Sequence, residues 1–179
     1  MQWNVYKKNE YCIRCADVSL QSPIYAIVWT TTPWTLVTNA AVAFSSTLSY
    51  SLVECAGDPC VYLVSSAFAA SPQLAHLHSP SSASRASTAS ISGSTSRGAE
   101  WRVQVTDVPG DALAECTYEA LELARHSHSG GGLMKPLLAA PYVMADKGSG
   151  LVHTSPAHGF DDFSLERPNS LSLEYICIV

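Results

Sequence analysis

Three consecutive threonines, Thr30, Thr31 and Thr32, run into Pro33 and Trp34, and a hydroxyl at Thr35 and a carboxamide at Asn39 follow close behind. Neutral groups of this kind hold water or a polar ligand without themselves ionising. A strand accepts one or two threonines for their β-branched shape, but Pro33 removes a ladder donor and turns the chain. The hydroxyls are therefore expected at the end of a strand, facing out of the sheet's hydrogen-bonding pattern.

A second cluster lies far downstream. Residues 148–163, GSGLVHTSPAHGFDDF, set a short apolar run before His153 and Thr154, a Ser155-Pro156 break, then His158 and the carboxylates Asp161 and Asp162. Imidazoles can move protons near neutral pH, and a carboxylate can grip a cationic ligand through a charge-assisted hydrogen bond. Glycines at 148, 150 and 159 permit tight turns or positive φ. Ser155 and His158 suggest a nucleophile and its base, but no G-x-S-x-G turn surrounds them, so no covalent nucleophile is expected.

Elements must bring these clusters together. Residues 24–30, 41–44, 48–54, 60–65, 101–108 and 151–154 have the composition of short strands, and Trp101, Val103 and Val105 alternate with polar neighbours as in a half-buried strand. The third and fourth flank Ala56-Gly57-Asp58-Pro59 as a hairpin. Residues 111–125 read as the one helix: Asp111 can cap it, Leu113, Thr117, Ala120, Leu121 and Ala124 share a face, and Gly130 to Gly132 follow its end. Trp3, Trp29, Trp34 and Trp101 are expected to pack at the core or the ends of the sheet. Many short strands with one helix imply a β-rich mixed α/β fold, closed into a barrel.

Charged residues make up only 14% of the 179-residue chain, below the usual quarter. The deficit centres on residues 65–99, a Ser/Ala-rich stretch without a sustained apolar period, expected to remain an unstructured insertion. It separates residues 1–64 from 100–163, and 164–179 read as an aberrant tail. Net charge is 10 minus 15, or -5, the wrong sign for gripping nucleic acid by phosphate neutralisation alone. No membrane-length apolar run and no targeting segment is evident. The six cysteines have no repeated spacing, and Cys12-x-x-Cys15 lacks the second pair that a structural zinc requires, so no metal is expected.

Taken together, WTTTPWTLVTN and GSGLVHTSPAHGFDDF resemble WTTTPWTLPAN and GTGLVHTAPAHGxDDF, the motifs of the connective-peptide editing domain in isoleucyl-tRNA synthetases. Valine and leucine relatives carry TTRPET or TTRPDT at the first motif. The form ADKGSGLVHTSPAHG looks more like the mitochondrial or bacterial type than the eukaryotic cytosolic one. The likeness covers residues 23–64 and 134–163. It departs where Val37-Thr38 replaces Pro-Ala, where Ser149 and Ser155 replace Thr and Ala, and after Phe163.

The resemblance implies a closed β-barrel with a peripheral helix that hydrolyses valine from a misacylated isoleucine tRNA. A pocket extracts only about 1–3 kcal/mol from a missing methylene, a figure for which this family is itself the standard case and which these residues do not supply; a second sieve is therefore needed. Asp162, by motif position, corresponds to the anchor of the α-ammonium, and Asp161 does not. His153 takes the position that touches the substrate side chain and helps exclude isoleucine. Thr31, Thr32 and Asn39 surround the ester and terminal adenosine; Thr30, Thr35, Trp34 and His158 are further substrate-binding candidates, His158 chiefly as a shaper of its loop. Water attacks directly, with the free ribose hydroxyl assisting. The implied partners are the valine-bearing 3′ end of the tRNA and the remaining synthetase domains, with no DNA and no membrane. No cofactor is implied in this chain, since the HIGH-type and KMSKS signatures that accompany ATP and Mg in the parent ligase are missing. The compartment implied is the mitochondrial matrix for an organellar parent and the cytoplasm otherwise. An inert fragment, or a module that binds an aminoacylated 3′ end without cleaving it, remain open alternatives.

Overall fold

The computed structural model describes residues 2–7, 24–77, 100–119 and 134–171. Within them the chain forms β1 (Gln2–Lys7), β2 (Ile24–Ile27), β3 (Ala41–Phe44), β4 (Ser49–Cys55), β5 (Val61–Ser65), β6 (Trp101–Pro109), β7 (Cys116–Glu119), β8 (Met134–Ala139) and β9 (Leu151–Thr154). They lie in the order β6-β4-β5-β2-β1-β7-β8-β3-β9. Neighbours run antiparallel except β2 with β5 and β3 with β8, which are parallel. The β4–β5 hairpin forms where the turn residues placed it, with Gly57 at φ 82.

The expected closed barrel is not found. β6 and β9 end the strand order, and no ladder joins them among the described residues. A single bridge, Trp29 to Val152, links the run after β2 to β9, through Trp29 N–H to the Leu151 carbonyl at 2.9 Å and His153 N–H to the Trp29 carbonyl at 3.2 Å. Pairing stops there because Pro33 offers no N–H and starts the 3₁₀ helix Pro33–Thr38. The architecture is β-rich mixed α/β with an open sheet.

The largest apolar cluster includes Val28, Leu36, Phe44, Leu52, Leu113 and Leu151, all nearly or fully buried. Burial of each such large side chain is worth roughly 1.5–3 kcal/mol. Leu36 fastens the 3₁₀ helix to that core, so the threonine corner has a rigid base. β6 is an edge strand, and Val103 is exposed where alternation predicted half-burial. Gly148 and Gly150 do adopt positive φ, and a Cβ on Gly150 would stand 2.5 Å from the Ser65 Cβ. Gly159 has φ -154, ordinary extended backbone, and so does not use the positive φ that a glycine permits.

The helix expected over residues 111–125 is replaced. A 3₁₀ turn, Gly110–Leu113, ends with Leu113 fully buried, and Cys116–Glu119 then becomes β7 between β1 and β8. Cys116 and Tyr118 point inward and Thr117 and Glu119 outward, the strand's period of two. Pairing on both sides outweighs the weaker helical spacing; residues 120–125 lie outside the described residues. Ser66–Ala69 and Pro72–Ala75, inside the stretch assigned to an insertion, form short helices whose Phe68 and Leu74 pack with Val53, Tyr62 and Val64. Residues 78–99 and 172–179, and Cys12 and Cys15, lie outside the described residues. No helix among the described residues is long and apolar enough to cross a membrane.

Candidate functional site

Strands β3 and β9 run side by side with Ala41 opposite Thr154 and Val42 opposite His153. The start of β3 therefore meets the end of β9. Asn39 and the 3₁₀ helix Pro33–Thr38 precede β3 at that end, while Ser155, the 3₁₀ turn Pro156–His158 and helix Phe160–Ser164 leave β9 at the same end. Two segments more than a hundred residues apart thus share one corner because of one register.

Three of the predicted residues join His153 in a chain of hydrogen bonds. Thr35 Oγ1 donates to the Thr32 carbonyl at 2.7 Å and lies 2.9 Å from His153 Nε2. Asn39 Nδ2 lies 3.0 Å from His153 Nδ1 and also donates to the Ala41 carbonyl at 2.8 Å. Counting hydrogens fixes the tautomer. Because the single Thr35 proton goes to Thr32, His153 must donate from Nε2 and accept at Nδ1 from the Asn39 amide. Tyr118 in turn donates its hydroxyl to Asn39 Oδ1, and Lys135 Nζ donates to the Asn39 carbonyl. The Asn39 orientation is therefore determined from both ends.

Burial holds the His153 imidazole down to about 4, with Lys135 and His158 adding to the depression and the Thr35 contact opposing it. The ring is neutral near pH 7 and only 5% exposed. With both nitrogens committed, it is a rigid wall and not a proton carrier.

A second network lies beside the first. Asp162 Oδ2 accepts from the Ser155 N–H at 2.8 Å, and Oδ1 from the Tyr142 hydroxyl at 3.3 Å. Burial raises the Asp162 carboxyl above its ordinary value, a trend the two donors oppose. Asp161, its neighbour, is exposed. A Cβ at Gly159 would come within 3.2 Å of Asp162 Oδ2, so the missing side chain lets the carboxylate fold back onto Ser155.

Thr38 Oγ1 donates to the Thr35 carbonyl at 2.9 Å and touches Ser155 Oγ at 2.8 Å; Ser155 Oγ lies 3.1 Å from His158 Nδ1. The same counting applies. Thr38 has spent its proton on Thr35, so Ser155 donates to Thr38, and His158 donates from Nδ1 to Ser155. Ser155, 1% exposed and facing a protonated nitrogen, is not poised as a nucleophile.

Other predicted residues are placed less centrally. Thr30 Oγ1 accepts from the Thr32 N–H at 3.1 Å, and Thr31 is exposed. Trp34 is 67% exposed instead of packed, since Pro33 turns it off the sheet. Hydrogen bonds link Asp162 to the threonine corner only through Ser155 and Thr38, not directly to Thr31 or Thr32. Thr38, Tyr118, Lys135 and Tyr142 were not singled out by the sequence. The departure from alanine at 38 was the only signal for any of them. No group of three His, Cys, Asp or Glu among the described residues is arranged to hold a metal.

No family model matches the chain. It is 33% identical over 173 residues to the isoleucine–tRNA ligase of Photorhabdus laumondii, which covers 97% of this chain and 15% of that protein. The isoleucine–tRNA ligase of Proteus mirabilis is 33% identical over 156 residues, covering 87% of this chain and 13% of that enzyme. That of Yersinia enterocolitica is 30% identical over 151 residues. The chain thus spans about a seventh of the length of these curated relatives. Among solved structures, the crystal structure of GlLeuRS-CP1 matches with a TM-score of 0.56 at 19% identity, over 80% of this chain and 43% of that one, a likeness of fold.

Proposed function

Because the chain belongs to the isoleucine–tRNA ligase family, as a homologue of one segment of those enzymes, we propose that it hydrolyses valine from misacylated isoleucine tRNA. The observation carrying this reading is the β3–β9 register, which gathers the Thr32–Thr35–His153–Asn39 chain and the Asp162 carboxylate at one end of the sheet.

Each group then has a task. Asp162, already oriented by Ser155 and Tyr142, supplies the negative charge for the α-ammonium. His153 contributes a fixed apolar and neutral surface, suited to exclusion by size because its ring is held at both nitrogens and cannot swing away. Thr31 and Thr32, with Thr30 and Thr35 behind them, offer hydroxyls to the ester and the ribose, and Asn39 holds the wall in place more than it meets substrate, given its burial. Exposed Trp34 offers an aromatic face at the rim. Water attacks the ester carbonyl, and the amino acid leaves from the ribose oxygen.

The tRNA body, ATP and Mg belong to the rest of the parent ligase in this reading. The test is deacylation of valyl- and isoleucyl-tRNA(Ile) by the full chain. Selective release of valine is expected. Binding of a valyl-adenosine analogue without release would leave a binding module instead, and neither binding nor release an inert fragment.

A further inference from the structure

We propose that Tyr142 is a second ligand of the substrate ammonium and that Thr154 is its positioning residue, a buried acceptor to which the Tyr142 hydroxyl turns when the ammonium reaches Asp162; the inference rests on the editing reading above. Side chains alternate along β9, so His153 and Thr154 leave its opposite faces. Leu151, on the His153 side, belongs to the largest apolar cluster. Val152, on the Thr154 side, packs with Tyr142 against Ala43, Ala140, Val143 and Leu165. Tyr142 is held there by its chain neighbours, since Ala140 and Val143 are both buried and the Val143 N–H donates to the Ala140 carbonyl at 3.4 Å.

Thr154 is fully buried, and its Oγ1 has no hydrogen-bond partner among the described residues. Such a hydroxyl is rare, because it forfeits its bonds to water and gains none in return. Burial raises the Tyr142 phenol, and the Thr154 hydroxyl is the foremost influence opposing that rise, so the two groups are neighbours although they are not bonded. The bond that Tyr142 does make is loose. Its hydroxyl lies 3.3 Å from Asp162 Oδ1, beyond the roughly 2.5–3.0 Å usual between oxygens. The Ser155 N–H, in contrast, meets Asp162 Oδ2 at 2.8 Å.

A phenol hydroxyl has a single proton to give, and its oxygen can also accept. With that proton aimed at Asp162 Oδ1, Tyr142 competes with an arriving ammonium for the same oxygen. Rotation of the O–H bond toward Thr154 Oγ1 removes the competitor, turns a Tyr142 lone pair toward the ammonium, and supplies the partner that Thr154 lacks. An ammonium brings three donors. Asp162 Oδ1 and the Tyr142 oxygen then take two of them, while Oδ2 stays with Ser155. The proton remains on the phenol oxygen throughout, and Thr154 acts without meeting substrate.

The full chain, Thr154→Val, Thr154→Ser, Tyr142→Phe and Tyr142→Phe/Thr154→Val are compared in deacylation of valyl-tRNA(Ile). Titration calorimetry uses a non-hydrolysable valyl-adenosine analogue and its isovaleryl counterpart, which lacks the amine. Thr154→Val should melt no lower than wild type, because it removes a hydroxyl that has no partner. It should nevertheless bind the valyl analogue about 10-fold more weakly, having lost the acceptor for the displaced proton, and raise KM more than it lowers kcat. Thr154→Ser should restore the affinity, and the isovaleryl analogue should bind wild type and Thr154→Val alike. In the Tyr142→Phe background the Thr154→Val change should add nothing, since Thr154 acts only through that phenol. Wild-type affinity of Thr154→Val for the valyl analogue, an equal loss for both analogues, or additive effects in the double variant each overturn the proposal and leave the editing reading intact. A wild-type chain that never releases valine overturns both.

Discussion

The hydroxyls of Thr38 and Ser155 lie 2.8 Å apart although 117 positions separate them in the chain. Both stand where the isoleucine motifs carry alanine, so two departures that look independent in sequence meet as one buried hydrogen bond. The pair ties the 3₁₀ helix before β3 to the loop after β9, adding a side-chain tie to the backbone register. A double-mutant cycle of Thr38→Ala and Ser155→Ala should give a coupling of about 0.5–1.5 kcal/mol in urea unfolding, since each single change strands a hydroxyl that the double change removes. Additive effects would deny the bond.

Tyr118→Phe should destabilise the chain by about 1–3 kcal/mol, because it leaves Asn39 Oδ1 buried without the donor that now meets it. Burial pushes the Tyr118 phenol well above its ordinary range, so it stays a donor at any accessible pH. The loss should appear in urea melts, and the His153 ring resonances should broaden as the Asn39 amide gains freedom to rotate. A variant as stable as wild type would mean that the amide has another partner.

Much of this corner was legible before any coordinates. Pro33 after three threonines marked the strand end, and the apolar run before His153 marked β9, because both are local signals: a missing N–H and an uninterrupted strand former. Tyr118 was hidden for the opposite reason. Its segment has apolar spacing that suits a helix, and only pairing with β1 and β8, remote in sequence, makes it a strand. Likewise the Thr38–Ser155 contact depends on the β3–β9 register, which no local pattern encodes. Closure of the barrel, inferred from many short strands with one helix, depends on pairing between the end strands β6 and β9, which no local pattern encodes and no ladder supplies among the described residues.

Asp162→Asn should separate stability from binding. The raised carboxyl means that the folded chain holds this proton more tightly than the unfolded one, so its favourable contribution is present at low pH and lost as pH rises past the folded value. At pH 7.5 the neutral amide, still able to accept from Ser155 N–H, should therefore be at least as stable as the carboxylate. Binding of a valyl-adenosine analogue should meanwhile weaken by about 10-fold or more, the worth of a charge-assisted hydrogen bond. Thermal melts and titration calorimetry test the two halves, and an unaltered affinity would remove Asp162 from the ammonium site.

His153 gives the fold a pH dependence of the opposite sign. Burial lowers its pKa from 6.5 to about 4, so in that interval the unfolded chain binds a proton that the folded chain refuses. Stability is therefore complete above about pH 7 and falls as pH drops through 6.5 toward 4, by about 3 kcal/mol for roughly 2.5 units at 1.36 kcal/mol each. Between pH 7.5 and pH 5 the share is about 2 kcal/mol, from the 1.5 units below 6.5. Urea unfolding at those two pH values isolates it when wild type is compared with His153→Gln, which lacks the titrating ring. The variant starts less stable, having lost the Thr35 and Asn39 contacts, yet its stability should change less between the two pH values. Equal pH dependence in both proteins would mean that the imidazole is protonated in the fold, and the Nε2–H, Nδ1-acceptor arrangement would then have to be abandoned.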